Sequence, residues 1–128
     1  QVRRLARVLP VRGVEVCIDV IDPRHVAAFW CELLGYEVDG DADARWVHLE
    51  PAEGSGLPVL NLQRVPEWKE IKNRLHLDVF VDDPEEWIDR CLELGAARLR
   101  LNDDADDWYC VMTDVEGNEF CICREDED

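Results

Sequence analysis

The chain has 128 residues, 47% of them apolar, which is enough for one domain, residues 1–128, built around one sizeable core. Thirty Asp and Glu against fourteen Lys and Arg leave a net charge of −16 and a pI near 4.4. A surface this acidic repels phosphate backbones and anionic lipid, so neither nucleic acid nor a membrane surface is an expected partner, and the charge itself reads as solubility.

The opening segment, QVRRLARVLPVRG, is basic and only slightly apolar. It lacks the continuous apolar core and small-residue cleavage site of a secretory signal, and no later stretch is long enough to span a bilayer. Cysteines stand at 17, 31, 91, 110, 121 and 123, none in C-x-x-C spacing. Most fall within predicted strands or helices, where a thiol packs as a small apolar group. They are expected to be reduced, and the protein cytoplasmic.

An alternating strand, 14–20, comes first. Asp22-Pro23 then supplies a helix N-cap and a proline suited to the first helical position. Val26, Phe29, Trp30, Leu33 and Leu34 recur at helical spacing, and Gly35 suits a C-cap with positive φ. Strand-like segments follow at 35–38, 44–50 and 58–65, with the turn PAEGSG before the last. Residues 65–74, VPEWKEIKNR, form a linker whose cations read as solvated, although Arg74, at its junction with the next strand, could reach an anionic ligand.

The pattern then recurs. RLHLDVFV is a strand, Asp83-Pro84 repeats Asp22-Pro23, Cys91 matches Cys31, and Gly95 matches Gly35. Trp87, Ile88, Cys91, Leu92 and Leu94 form the second apolar helix face. Strands at 97–102, 108–114 and 119–125 complete the copy, the last pair joined by DVEGNE, and the acidic end REDED is expected to fray. Each copy reads βαβββ, one over 14–65 and the other over 75–125.

Taken together, the paired units, DPRHVAAFWCELLGY, NRLHLDVFVDDPEE and TDVEGNEFCIC resemble the vicinal oxygen chelate superfamily of glyoxalases, bleomycin- and fosfomycin-resistance proteins and extradiol dioxygenases. The resemblance is strongest to its small glyoxalase-like domain proteins. It implies an α+β fold of two tandem βαβββ modules whose curved sheets surround a cavity, with helices outside.

Strand alternation sorts the faces. Val14, Val16, Ile18 and Val20, with Leu75, Leu77, Val79 and Val81, are expected beneath the helices. Glu15, Cys17, Asp19, Asn61, Gln63, His76, Asp78, Phe80, Cys121 and Cys123 are then expected to line one inter-module cavity. Trp46, His48 and Trp108 are candidate walls. A cavity with convergent polar groups and aromatics is the usual form of a small-molecule site.

In the metal-dependent members of the superfamily, four strands each supply one ligand. The resemblance places those positions at Glu15, Asn61, His76 and Cys121. Glu15 and His76 each stand seven residues before the capping aspartate. Asn61 is a weak neutral ligand, and Cys121 replaces an expected glutamate. The set departs from oxygen and nitrogen ligation, so no cofactor is expected. Were a divalent metal bound, Glu15, His76 and Cys121 would be its ligands. The expected function is binding of a small organic molecule in the inter-module cavity. The alternatives are a metal-dependent lyase, isomerase or dioxygenase using Glu15 and His76, or an interaction and dimerisation domain with a vestigial pocket. A homodimer is the expectation from the resemblance.

Overall fold

The computed structural model describes residues 9–125, so most of REDED lies outside the described residues. The first repeat folds as β1 (Val16–Val20), α1 (Pro23–Leu34), β2 (Glu37–Val38), β3 (Trp46–Glu50) and β4 (Leu60–Arg64). The second folds as β5 (Leu77–Val81), α2 (Pro84–Glu93), β6 (Ala97–Asp104), β7 (Asp107–Thr113) and β8 (Glu119–Arg124). Each makes a four-stranded mixed sheet, ordered β1-β4-β3-β2 (sheet 1) and β5-β8-β7-β6 (sheet 2). In both, the first strand runs parallel to the last and the others pair antiparallel.

The helices begin and end where local chemistry requires. Asp22 and Asp83 accept hydrogen bonds from the backbone N–H groups of His25 and Glu86, which the first helical turn cannot satisfy internally. Gly35 closes α1 at φ 76°, a conformation a side chain disfavours.

Val26, Ala27, Phe29, Trp30 and Leu33 of α1 pack over Val47, Leu49, Leu60 and Leu62 of sheet 1. Ile88 and Cys91 of α2 belong to the same core, with Cys110, Met112, Phe120 and Ile122 of sheet 2. The two halves meet at an aromatic cluster, where Trp30 lies 5.0 Å, centroid to centroid, from both Phe29 and Phe120 in edge-on geometry. Each such pair adds about 1 kcal/mol beyond its buried area. The Glu116 carboxylate, in the β7–β8 turn, accepts from the N–H groups of Ile21 and Asp22 at 2.6 and 2.7 Å, fixing the start of α1 to the second module.

Face alternation holds within the paired strands: Val20 and Val81 are buried, while Cys17, Asp19, Asp78 and Phe80 are exposed. It fails one turn of pleat earlier. Val14 and Leu75, expected under the helices, are 76% and 86% exposed. The ladders start at Val16 and Leu77, so both residues precede the strands and have no sheet or helix to pack against.

Candidate functional site

The faces turned away from the helices carry the polar residues, but one chain does not bring them into one cavity. On sheet 2, a cavity of about 390 Å³ is floored by His76, Asp78, Cys121 and Cys123 and walled by Phe80, Trp108, Tyr109 and Val111. Register explains the convergence: Asp78 lies opposite Cys121, which lies opposite Val111, while Phe80 and Tyr109 flank Cys123. Asp78, Phe80, Tyr109, Val111, Cys121 and Cys123 therefore share one face of three neighbouring strands, whereas Trp108, of opposite parity to Tyr109, packs partly against the core at the cavity's end.

At the floor, His76 Nε2 stands 3.1 Å from Asp78 Oδ1. Burial, and then the Asp78 charge, push the Cys121 thiol up to about 11, and burial likewise pushes Cys123 up to about 12. Both are therefore thiols, not thiolates, at neutral pH. At the edge, Glu119 accepts from Lys72 Nζ at 2.8 Å, with Lys69 Nζ at 3.8 Å, and the Lys72 hydrogen bond holds its carboxyl below the usual range.

Sheet 1 presents a separate network. Asn61, only 5% exposed, donates from Nδ2 to Glu15 Oε1 at 2.8 Å and accepts through Oδ1 from His48 Nδ1 at 2.8 Å. His48 Nε2 in turn lies 2.6 Å from Glu50 Oε2. With oxygen acceptors at both ring nitrogens, the imidazolium is favoured, and the Glu50 hydrogen bond raises the His48 pKa, assisted by Asn61. Gln63 donates to Asp19 at 3.2 Å on the same face, and Trp46 lies opposite Gln63. Between β1 and β5 runs a third feature, a groove of about 300 Å³ lined mainly by Val16, Ile18, Leu75 and Leu77, with Cys17, Asp19 and His76 at its margin.

The single inter-module lining expected from strand parity is thus divided. His76, Asp78, Phe80, Trp108, Cys121 and Cys123 share the sheet 2 cavity, whereas Glu15, Asn61, Gln63, Trp46 and His48 do not line it. Cys17 and Asp19 line the groove instead, and Asp19 also borders a separate hollow beside Val65 and Trp68. Alternation gives the face of a strand but not the relative placement of two sheets. Sequence reasoning passed over Lys72, Arg100, Tyr109 and Glu119 in the cavity. Tyr109 was recoverable from its pairing with Cys123, had the register of β7 been assigned.

Of the expected metal ligands, His76 and Cys121 come together but Glu15 does not join them. Among the described residues, three potential ligand atoms come within 4.8 Å of one another in His76–Asp78–Cys121 and in Asp39–His48–Glu50, and Glu15 belongs to neither group. The first set offers imidazole, carboxylate and sulfur, a combination suited to zinc once the high-pKa thiol gives up its proton.

The sequence model of the glyoxalase-like domain matches residues 15–123. The chain belongs to the glyoxalase-like domain family. This glyoxalase-like protein also shares its fold with solved structures of the wider superfamily. A glyoxalase/bleomycin resistance protein/dioxygenase family enzyme from Burkholderia phytofirmans is 18% identical, with TM-score 0.69 over 86% of this chain and 95% of that one. The fosfomycin resistance protein FosX from Listeria monocytogenes is 12% identical, with TM-score 0.70 over 89% and 90%, in a variant complexed with Mn(II) and a dihydroxypropylphosphonic acid. A bleomycin resistance determinant encoded on transposon Tn5 is 16% identical, with TM-score 0.63 over 91% and 100%. No curated protein matches the glyoxalase-like chain. Because a solved superfamily member holds a divalent metal, the expectation of no cofactor gains no support from these relatives. Among the described residues, no helix is long and apolar enough to cross a membrane.

Proposed function

We propose that this glyoxalase-like protein binds a small organic molecule in the sheet 2 cavity, within one module and not between two. The observation that carries this reading is the convergence of His76, Asp78 and Cys121 at the floor of a concavity whose walls include Phe80, Trp108 and Tyr109. Phe80 is 59% exposed and lines this cavity, so its ring offers an apolar surface to a ligand. In any turnover, His76 rather than Glu15 exchanges a proton with the ligand, and the Asp78 carboxylate 3.1 Å away favours the charge the ring takes up. The acidic surface argues against nucleic acid and membrane partners, and the free thiols suit a reducing cytoplasm. A homodimer remains part of the proposal, because the open face of sheet 1 leaves Trp46 42% exposed.

The test is a screen of small aromatic compounds followed by backbone amide chemical shifts. Perturbations should concentrate on β5, β7 and β8, and Phe80→Ala and His76→Ala should weaken binding while the fold is kept. Perturbations confined to β1–β4 would remove this reading. Light scattering at several concentrations tests the dimer, and a monomer throughout would sink it.

A second reading rests on the His76–Asp78–Cys121 donor set. A divalent cation held there would supply a Lewis acid at the cavity floor. Metal analysis of protein purified without a metal-affinity step tests it. Near-stoichiometric metal lost in His76→Ala and Asp78→Asn, yet retained in Glu15→Ala, supports the single-sheet site. Loss in Glu15→Ala overturns it.

A further inference from the structure

We infer that the ligand of this cavity is a small organic anion and that Arg100 selects it; the inference rests on the cavity reading above. Arg98 lies opposite Met112, but Arg100 lies opposite Val111, so β6 carries one extra residue, Leu99, as a β-bulge. Met112 is fully buried on the helix side, whereas Val111 lines the cavity. In an unbroken ladder Arg100 would face Cys110 and point under α2, among buried apolar groups. The bulge reverses its parity and aims its guanidinium into the cavity. Bulges in sheets commonly re-aim a side chain in this way beside a site.

Arg100 is also distinct among the cations there. Lys72 is held by Glu119, a carboxylate it shares with Lys69, and the His76 imidazole is paired with Asp78. Arg124 Nη2 donates to the Ala105 carbonyl at 2.9 Å. Among the described residues Arg100 has no hydrogen-bond or ion-pair partner, although Asp106 and Asp107 stand at the same cavity's turn end. A planar guanidinium with five donors, set in a concavity and unpartnered, matches a carboxylate or phosphonate head. The ligand's apolar body then lies across Phe80, Tyr109 and Val111, and its far end meets His76 and Asp78. Arg74, the cation singled out from sequence, does not line this cavity.

Three probes of one shape test the inference: naphthoate, naphthylphosphonate and the neutral naphthamide. Calorimetry gives their affinities for the full chain, its Arg100→Gln and Arg100→Lys variants, and amide shifts locate the binding. Arg100 is exposed, so both variants should fold. The expected result is that at least one anion binds the native chain about tenfold or more tightly than naphthamide. That preference should vanish in Arg100→Gln and survive in part in Arg100→Lys. Whichever anion loses more identifies the head group. If naphthamide binds at sheet 2 as tightly as the anions, or if Arg100→Gln keeps the preference, the anion inference is overturned and the cavity reading stands. If none of the three binds at sheet 2, the cavity reading falls and the inference falls with it.

Discussion

The indole Nε1–H of Trp30 donates to the buried Asp114 carboxylate over 3.2 Å, joining the helix of the first module to the last hairpin of the second. Asp114 also accepts from the backbone N–H groups of Glu116 and Asn118 and from Asn118 Nδ2. Asp114→Ala leaves those donors without an acceptor in a buried seam, and about 3 kcal/mol of stability should be lost. Trp30→Phe removes one donor and part of one ring and should cost about 1–2 kcal/mol. Urea unfolding measures both. A loss below about 0.5 kcal/mol in Asp114→Ala would mean that the seam does not hold the modules together.

Glu119 should contribute to acid sensitivity. Its folded pKa lies below its ordinary value because Lys72 holds the ionised form. The stabilisation is therefore fully present above the unfolded pKa of about 4.5 and is lost as pH falls through the lower, folded value. Stability measured from pH 7 downward should show the native chain's advantage over Glu119→Gln shrinking in that acid window. An advantage that is unchanged at every pH would contradict the Lys72 assignment.

His48 should behave with the opposite sign. Its folded pKa is raised by Glu50, so the pair stabilises the fold below about pH 6.5, and the contribution disappears as pH rises through the folded value. In Glu50→Gln the His48 ring resonances should titrate at lower pH than in the native chain. Identical titration curves would show that the Glu50 contact is absent in solution.

Thiol reactivity should follow exposure. Cys17 is exposed, whereas Cys121 is buried and pushed up to about 11, and Cys91 to about 12. Iodoacetamide at mildly alkaline pH should label Cys17 first, with Cys91 and Cys121 protected until unfolding. Peptide mass spectrometry resolves the order. Early labelling of Cys121 would reveal a thiolate and would make it a candidate nucleophile.

The sequence by itself determined the two βαβββ units, their capped helices and the outward face of each first strand. Those features are local: an Asp-Pro cap needs only its own first turn, and parity along β5 needs only its own pleat. The same parity placed His76, Asp78 and Cys121 on one face correctly. What the tertiary structure alone decided was which faces meet. Glu15 and His76 hold equivalent places in the two repeats, yet Glu15 binds Asn61 on one sheet while His76 pairs with Asp78 on the other. Nothing in strand periodicity encodes the position of one sheet against another, because that is fixed by distant packing such as Trp30 on Phe120. Arg100 shows the second limit. Its orientation depends on one inserted residue in a ladder, and the insertion is defined only by the partner strand: Leu99 is a bulge because Met112 and Val111 are consecutive opposite Arg98 and Arg100.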